Sequence, residues 1–248
     1  MKVKEHYDSH LANFYSWMVG DFDQKRNDFQ IFLENNEIYP NDTKVAIDLG
    51  AGHGIQSVAL KRLGFNVTAI DFNDQLLNEL KLNPDGQSIK TIKTDIRNIK
   101  NYSELKPELI ICCGDTITHF GNKSDIKKLI ENCANILAEK GKLIISYRDY
   151  TIELKDNQRF IPVKSDRDRI LTCILDYEPE KVKVTDLLYE KIGNEWKQKV
   201  SSYKKVRISP NEIDEMIENS GLKITFNEPI DRMQTMIAEK KNGLQQRV

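Results

Sequence analysis

From about residue 44 the chain alternates short apolar runs with longer stretches of helical period. KVAIDLG (44–50), NVTAIDFN (66–73), SIKTIKTD (88–95), ELIICCGD (108–115) and KLIISYRD (142–149) read as strands rich in β-branched residues. SVALKRLG (57–64), DQLLNELKL (74–82) and DIKKLIENCANILAEKG (125–141) read as the helices between them, the first and last closed by glycine. Strands and helices at this spacing predict βαβ units and a parallel sheet.

After residue 150 the period changes. RFIPV, RILTCILDY, KVKVTDLLYE and EWKQKVSSYKKVRI, between 159 and 208, read as strands separated by turns at Pro179 and Gly193-Asn194. In SPNEIDEMIENSG, Ser209 caps a helix, Pro210 takes its first position and Glu212 completes a capping box. KITFNEP and MQTMIAEK form a last strand pair. Residues 7–36 are a separate helical stretch carrying Tyr7, Leu11, Phe14, Tyr15, Trp17 and Met18. The expected organisation is a helical cap (1–40), an α/β core (41–150), an antiparallel β insert (151–206), the end of the core (207–240) and a tail (241–248).

Composition narrows the class. The chain has 248 residues, 39% hydrophobic and 30% charged, enough for a sizeable core and typical of a globular protein. Lys plus Arg is 37 against 38 for Asp plus Glu, so bulk charge gives no drive toward nucleic acid or an anionic membrane. No apolar run reaches the roughly 20 residues of a bilayer span. MKVKEHYDSH is polar and lacks an apolar signal core. Cys112, Cys113, Cys133 and Cys173 form no CxxC pair and read as reduced, mostly buried thiols, with no metal site. A cytoplasmic protein is expected.

The chemistry concentrates in AIDLGAGHGIQSVAL (46–60). A loop after the first strand of a βα unit faces the ligand, and glycines there permit positive φ and close backbone approach. A dinucleotide loop reads G-x-G-x-x-G; Gly50 and Gly52 fit, but Ile55 occupies the third place. The third glycine is Gly54, in D-x-G-x-G-x-G from Asp48. The second strand ends in Asp71, which suits ribose hydroxyls or caps a helix. The third ends in Asp95-Ile96, suited to an adenine or to a surface turn.

Taken together, these residues resemble a class I S-adenosylmethionine-dependent methyltransferase. The resemblance implies a Rossmann-like, doubly wound seven-stranded sheet with its last strand antiparallel, here with an N-terminal helical lid and the β insert. It implies that Asp48, Gly50, Ala51, Gly52 and Gly54 hold the methionine part of the cofactor. Asp71 takes the ribose, Asp95 and Ile96 the adenine, and Phe72 and Gly114 join the cofactor-binding set. The product is S-adenosylhomocysteine.

Later segments are similar to the glycine N-methyltransferase group. CGDTITHF (113–120) matches its G-N-S-x-x-H-L segment through Gly114, Thr116 and His119, and SYRDYT (146–151) matches H-R-N-Y through Arg148 and Tyr150. VKSDRDRILTCILDY, VKVTDLLYE and MVGDFDQKR extend the likeness over nearly the whole chain. It implies that Arg148 grips a substrate carboxylate, as a planar guanidinium fork is suited to do. Arg26 or its neighbour Lys25 reaches the cofactor carboxylate. His119 lines the site as a base or holds a loop, and Tyr15 with Trp17 forms a lid or packs in the core. The chain departs from the group at Asp115 and Asp149, where it has asparagine, and at Met18, where it has tyrosine. Asp115 thereby adds a charge near the acceptor.

The expected function is N-methylation of a small amine or amino acid, with Arg148, Asp115, His119, Tyr15 and Tyr150 around the acceptor. An O- or C-methyltransferase of a natural-product or quinone-like ring, and a non-catalytic S-adenosylmethionine-binding module, are the alternatives. The partner is a small molecule; no nucleic acid or membrane is expected. An insert of antiparallel strands can pair between subunits, so a homodimer is one candidate assembly.

Overall fold

The computed structural model describes residues 3–240; the expected tail, 241–248, lies outside them. The chain opens with α1 (Val3–Ser9), a 3-10 turn at Leu11–Phe14, α2 (Tyr15–Val19) and α3 (Phe22–Asn35). The stretch read as one helical region is broken because Gly20 adopts φ 95°, after which Asp21 caps α3 through Gln24.

The core follows as β1 (Val45–Leu49), α4 (Ile55–Arg62), β2 (Asn66–Asp71), α5 (Asp74–Leu82), β3 (Lys90–Lys93), β4 (Leu109–Cys112), α6 (Lys123–Ile136) and β5 (Lys142–Tyr147). Next come the insert strands β6 (Phe160–Ser165), β7 (Arg169–Tyr177), β8 (Lys181–Ile192) and β9 (Glu195–Val206). The chain returns through α7 (Pro210–Asn219), β10 (Leu222–Ile230) and β11 (Met233–Lys240).

The seven core strands run in the order β3-β2-β1-β4-β5-β11-β10. The five earlier strands are parallel, and β11 is antiparallel to both β5 and β10. Strand order reverses between β1 and β4, so a crevice opens beyond their carboxyl ends, where doubly wound sheets bind ligands. Leu49, Ile47 and Ile110 in the sheet pack with α6 and α7 on one face. Leu33, Val58, Leu60 and Phe65 from α3, α4 and the turn after α4 cover the other. Complete burial of such a side chain is worth roughly 1.5–3 kcal/mol.

Local sequence explains most ends. The capping box of Ser209 and Glu212 is formed at the start of α7. Gly193, at φ 64°, turns β8 into β9 through a two-residue loop. α6 stops before the expected Gly141: Leu137 leaves helical geometry, and Lys240 supplies a donor to its carbonyl at 2.7 Å. Residues 96–105, unassigned by period, form 3-10 turns.

The insert is a separate sheet ordered β6-β7-β8-β9. Leu171 and Leu188 on its inner face pack with Leu11 and Phe14. The N-terminal helices are therefore clamped between insert and core. Asn73 donates to Asp8 at 2.9 Å and Gln75 to the Ala12 carbonyl at 3.0 Å from the core side. Trp17 donates to Asp166, and Lys164 to the Trp17 carbonyl, on the insert side.

Candidate cofactor and acceptor site

Gly50, Gly52 and Gly54 all have positive φ, at 75°, 53° and 94°. A Cβ on Gly50 would stand 2.5 Å from Thr116 in the loop after β4, and one on Gly54 would stand 2.1 Å from Leu80 of α5. The loop after β1 is thus wedged between two neighbours, and side chains there are excluded. A Cβ on Gly52 would instead meet the ring of Tyr15 at 3.6 Å. The lid and the glycine loop face each other across that gap. Ala51 is buried beside them.

The acids divide. Asp48 lies under the loop and accepts from Ser57 at 2.6 Å; burial pushes its carboxyl up to about 7. Asp71 at the end of β2 accepts from the Gly52 amide at 2.9 Å and the Asn73 amide at 2.8 Å. Burial raises it as well, against the lowering effect of those amides. Asn73, not Asp71, caps α5. Asp95 is half-buried, caps the 3-10 turn that begins at Ile96, and is gripped by Arg97, which holds it below the ordinary carboxylate range. Phe72 meets Tyr7 edge-on at 5.3 Å. Gly114 has φ 75° and open space around its missing Cβ. Arg26 is only 5% exposed. Its guanidinium bonds Asp23 and Asn27, while Nε has no partner. Lys25 faces solvent.

Of the acceptor candidates, Tyr150 and the backbone of Arg148 meet at Asp115, which holds a left-handed φ of 73°. Oδ1 accepts from the Thr118 hydroxyl at 2.8 Å and the Arg148 amide at 3.1 Å. Oδ2 accepts from the Tyr150 hydroxyl at 2.8 Å and from the ammonium of Lys205. Burial raises the Asp115 carboxyl, but Lys205 outweighs it and leaves the group below its usual value. Burial lowers Lys205, yet Asp115 carries it above the ordinary lysine value. The two form a buried ion pair.

His119 meets the Tyr7 hydroxyl at 3.4 Å through Nε2, and its ring stacks on Tyr203 at 5.5 Å. Burial, then the charge of Lys205, brings it down to about 3, so its imidazole is neutral. Burial pushes Tyr15 up to about 12. Arg148 is exposed, and its guanidinium makes no hydrogen bond or ion pair among the described residues. Asp149, its sequence neighbour, bonds Thr151 instead.

Sequence reasoning passed over Lys205, Tyr203 and the His6–Asp186 pair, in which His6 Nε2 stands 3.1 Å from Asp186 Oδ2. His6 also bonds Ser201 at 2.7 Å and stacks on Tyr203 at 4.1 Å. Ser201, Tyr203 and Lys205 alternate on the inward face of β9, but as serine, tyrosine and lysine they show no apolar period in the sequence.

Residues 46–141 match the family model described as a methyltransferase domain. The glycine/sarcosine N-methyltransferase of Aphanothece halophytica is 26% identical over 115 residues, which are 46% of this chain and 43% of that protein. The match therefore reaches less than half of the relative's length. The solved structure of an S-adenosylmethionine-dependent methyltransferase from Clostridium acetobutylicum superposes with a TM-score of 0.72 at 18% identity, over 94% of this chain and 96% of that one. An amino pentose methyltransferase from Micromonospora echinaspora, solved with S-adenosylmethionine bound, gives 0.72 at 11% identity, over 90% and 93%. Residues 46–141 carry the match to a methyltransferase domain, and the chain shares the fold of the class I S-adenosylmethionine-dependent methyltransferases, whose cofactor is S-adenosylmethionine. Within that class it resembles the glycine N-methyltransferase group.

Proposed function

We propose that this protein transfers a methyl group from S-adenosylmethionine to the nitrogen of a small amine that carries a carboxylate, such as an amino acid. The observation that carries this reading is Arg148: an exposed guanidinium with no acid on it among the described residues, beside an Asp115–Lys205 pair whose charges cancel. What remains is one positive group beside the crevice, suited to a carboxylate. The glycine/sarcosine N-methyltransferase relative supports the same class of acceptor.

The residues present fit the cofactor. Gly50, Gly52 and Gly54 clear a backbone cradle that side chains would fill. Asp71 keeps acceptor capacity for ribose hydroxyls, and the unpartnered Nε of buried Arg26 suits an anionic end. Asp95 and Ile96 flank the adenine place. Once bound, the cofactor supplies an already activated methyl group, so the protein needs little covalent chemistry. Its part is to align the nucleophile and exclude water. The Tyr7 and Tyr15 rings from the lid close that space. Neither Asp115, saturated with donors, nor His119, neutral and weakly basic, is suited to remove a proton. The amine must arrive neutral. All four cysteines are free thiols, which suits a reducing compartment such as the cytoplasm.

The test is incubation with methyl-labelled S-adenosylmethionine and a panel of amines, with product mass and methyl position read out. Transfer to oxygen or carbon, or cofactor binding without turnover, overturns the proposal.

A further inference from the structure

We propose that Lys205, contributed by the insert, is a positioning residue for the acceptor: it holds Asp115, and through Asp115 the backbone that carries Arg148. The inference rests on the carboxylate-bearing acceptor proposed above and extends it to the insert.

The Asp115 carboxylate receives four donors, two on each oxygen. That accounts for the lone pairs of an ionised carboxylate. Asp115 is thus occupied by protein and has no capacity left for a substrate ammonium. Its bonds link three pieces of chain. Thr118 belongs to the loop after β4, Arg148 and Tyr150 to the loop after β5, and Lys205 to the insert strand β9. Two further contacts tie the loop after β4 to the end of β5: the Gly114 amide donates to Ser146 Oγ and the Asp115 amide to the Ser146 carbonyl, both at 3.1 Å. Lys205 is the element from outside the core sheet.

An asparagine at position 115 fits this arrangement poorly. Its NH2 group would face either Lys205 and Tyr150 or Thr118 and the Arg148 amide, all donors in the observed geometry. Aspartate at 115 and lysine at 205 therefore form a unit, and the presence of one explains the other. Lys205 is itself fixed: its ammonium also donates to Tyr150 at 3.1 Å and lies over the Tyr150 and Tyr203 rings at 5.4 and 5.6 Å. The side chain is buried. The pair is neutral overall, so it shapes the acceptor site without competing with Arg148 for the carboxylate.

The experiment compares the full chain with Lys205→Met, Asp115→Asn and the double variant. It reads KM and kcat for a carboxylate-bearing amine that the natural protein methylates, calorimetric affinity for S-adenosylhomocysteine, and hydrogen exchange of the Arg148 amide. Lys205→Met is expected to raise the acceptor KM ~10-fold or more, with cofactor affinity changed less than ~3-fold, because the displaced loop carries the acceptor rather than the cofactor. Exchange at the Arg148 amide should quicken in the same variant. The double variant, which leaves no lone buried charge, should melt closer to the natural protein than either single variant does. Unchanged exchange at Arg148, strictly additive losses in the double variant, or an equal fall in cofactor affinity overturns the proposal. If the natural protein methylates no carboxylate-bearing amine, the acceptor reading fails. Exchange at Arg148 still decides the role of Lys205, because it needs no acceptor.

Discussion

The ring of Tyr15 lies opposite Gly52, 3.6 Å from where a Cβ on that glycine would stand. One residue comes from the lid and the other from the loop after β1, so across this gap the lid stands one van der Waals contact from the loop that we propose holds the cofactor. Gly52→Ala should therefore weaken S-adenosylhomocysteine binding, since it adds a methyl to that gap and strains a φ of 53°. The fold should change little. Gly54→Ala should do the reverse, because its Cβ collides with Leu80 at 2.1 Å. Overpacking of that kind costs about 1–3 kcal/mol. Calorimetry and thermal melting on both variants separate the two effects.

Asp48 gives a prediction with a sign. Burial raises its folded carboxyl to about 7, against an ordinary value of 3.8. The folded chain therefore binds a proton that the unfolded chain has released between those two values, so this group's contribution to stability falls as pH rises through that window. Asp48→Asn removes the cost of the buried charge. It should raise the melting temperature at pH 8 by ~3 °C or more, and the gain should vanish near pH 4. An equal gain at both values contradicts the account.

Much of this was legible in the pattern of residues. The alternation of strands and helices gave the sheet, with Asp71 closing β2 and Asp95 lying just beyond β3. Ser209 and Glu212 announced α7 because a capping box is a local device, complete within four residues. Lys205 was not legible for the opposite reason. A lysine in SSYKKV reads as solvated, and the carboxylate that justifies its burial lies in a loop on another sheet. His6 was hidden likewise: it belongs to a polar opening segment, and its partners Asp186 and Ser201 are on the insert. Asp115 was legible as a departure, but its direction was not. Strand and helix periods say which face a residue takes, whereas a left-handed loop position follows no period.

His6 of α1 contacts Asp186 of the insert, and Asp186 also accepts from Cys173 at 3.0 Å. Asp186→Asn should loosen α1 from the insert while leaving the core sheet intact. Limited proteolysis should then cut the first 20 residues several-fold faster, and saturating S-adenosylhomocysteine should slow that cleavage. An unchanged cleavage rate means that the apolar contacts of Leu11 and Phe14 with the insert suffice.

Methyl transfer should report the absence of a protein base. Lys205 and its neighbours hold Asp115 below the ordinary carboxylate range, and His119 lies at about 3. Neither titrates near neutrality. The rate at low acceptor concentration should rise with pH until the amine itself is deprotonated. Replacing the acceptor by one of lower basicity should move the limb down with it. A limb that stays fixed near pH 6–7 for every acceptor points to a group on the protein.

The most direct measurement is the steady-state kinetics of Arg148→Lys with labelled S-adenosylmethionine and a carboxylate-bearing amine. Lysine keeps the charge but loses the planar fork. The account predicts an acceptor KM ~10-fold or more higher, with S-adenosylhomocysteine affinity changed less than ~3-fold. Loss of acceptor and cofactor binding in equal measure, or no change in either, contradicts it.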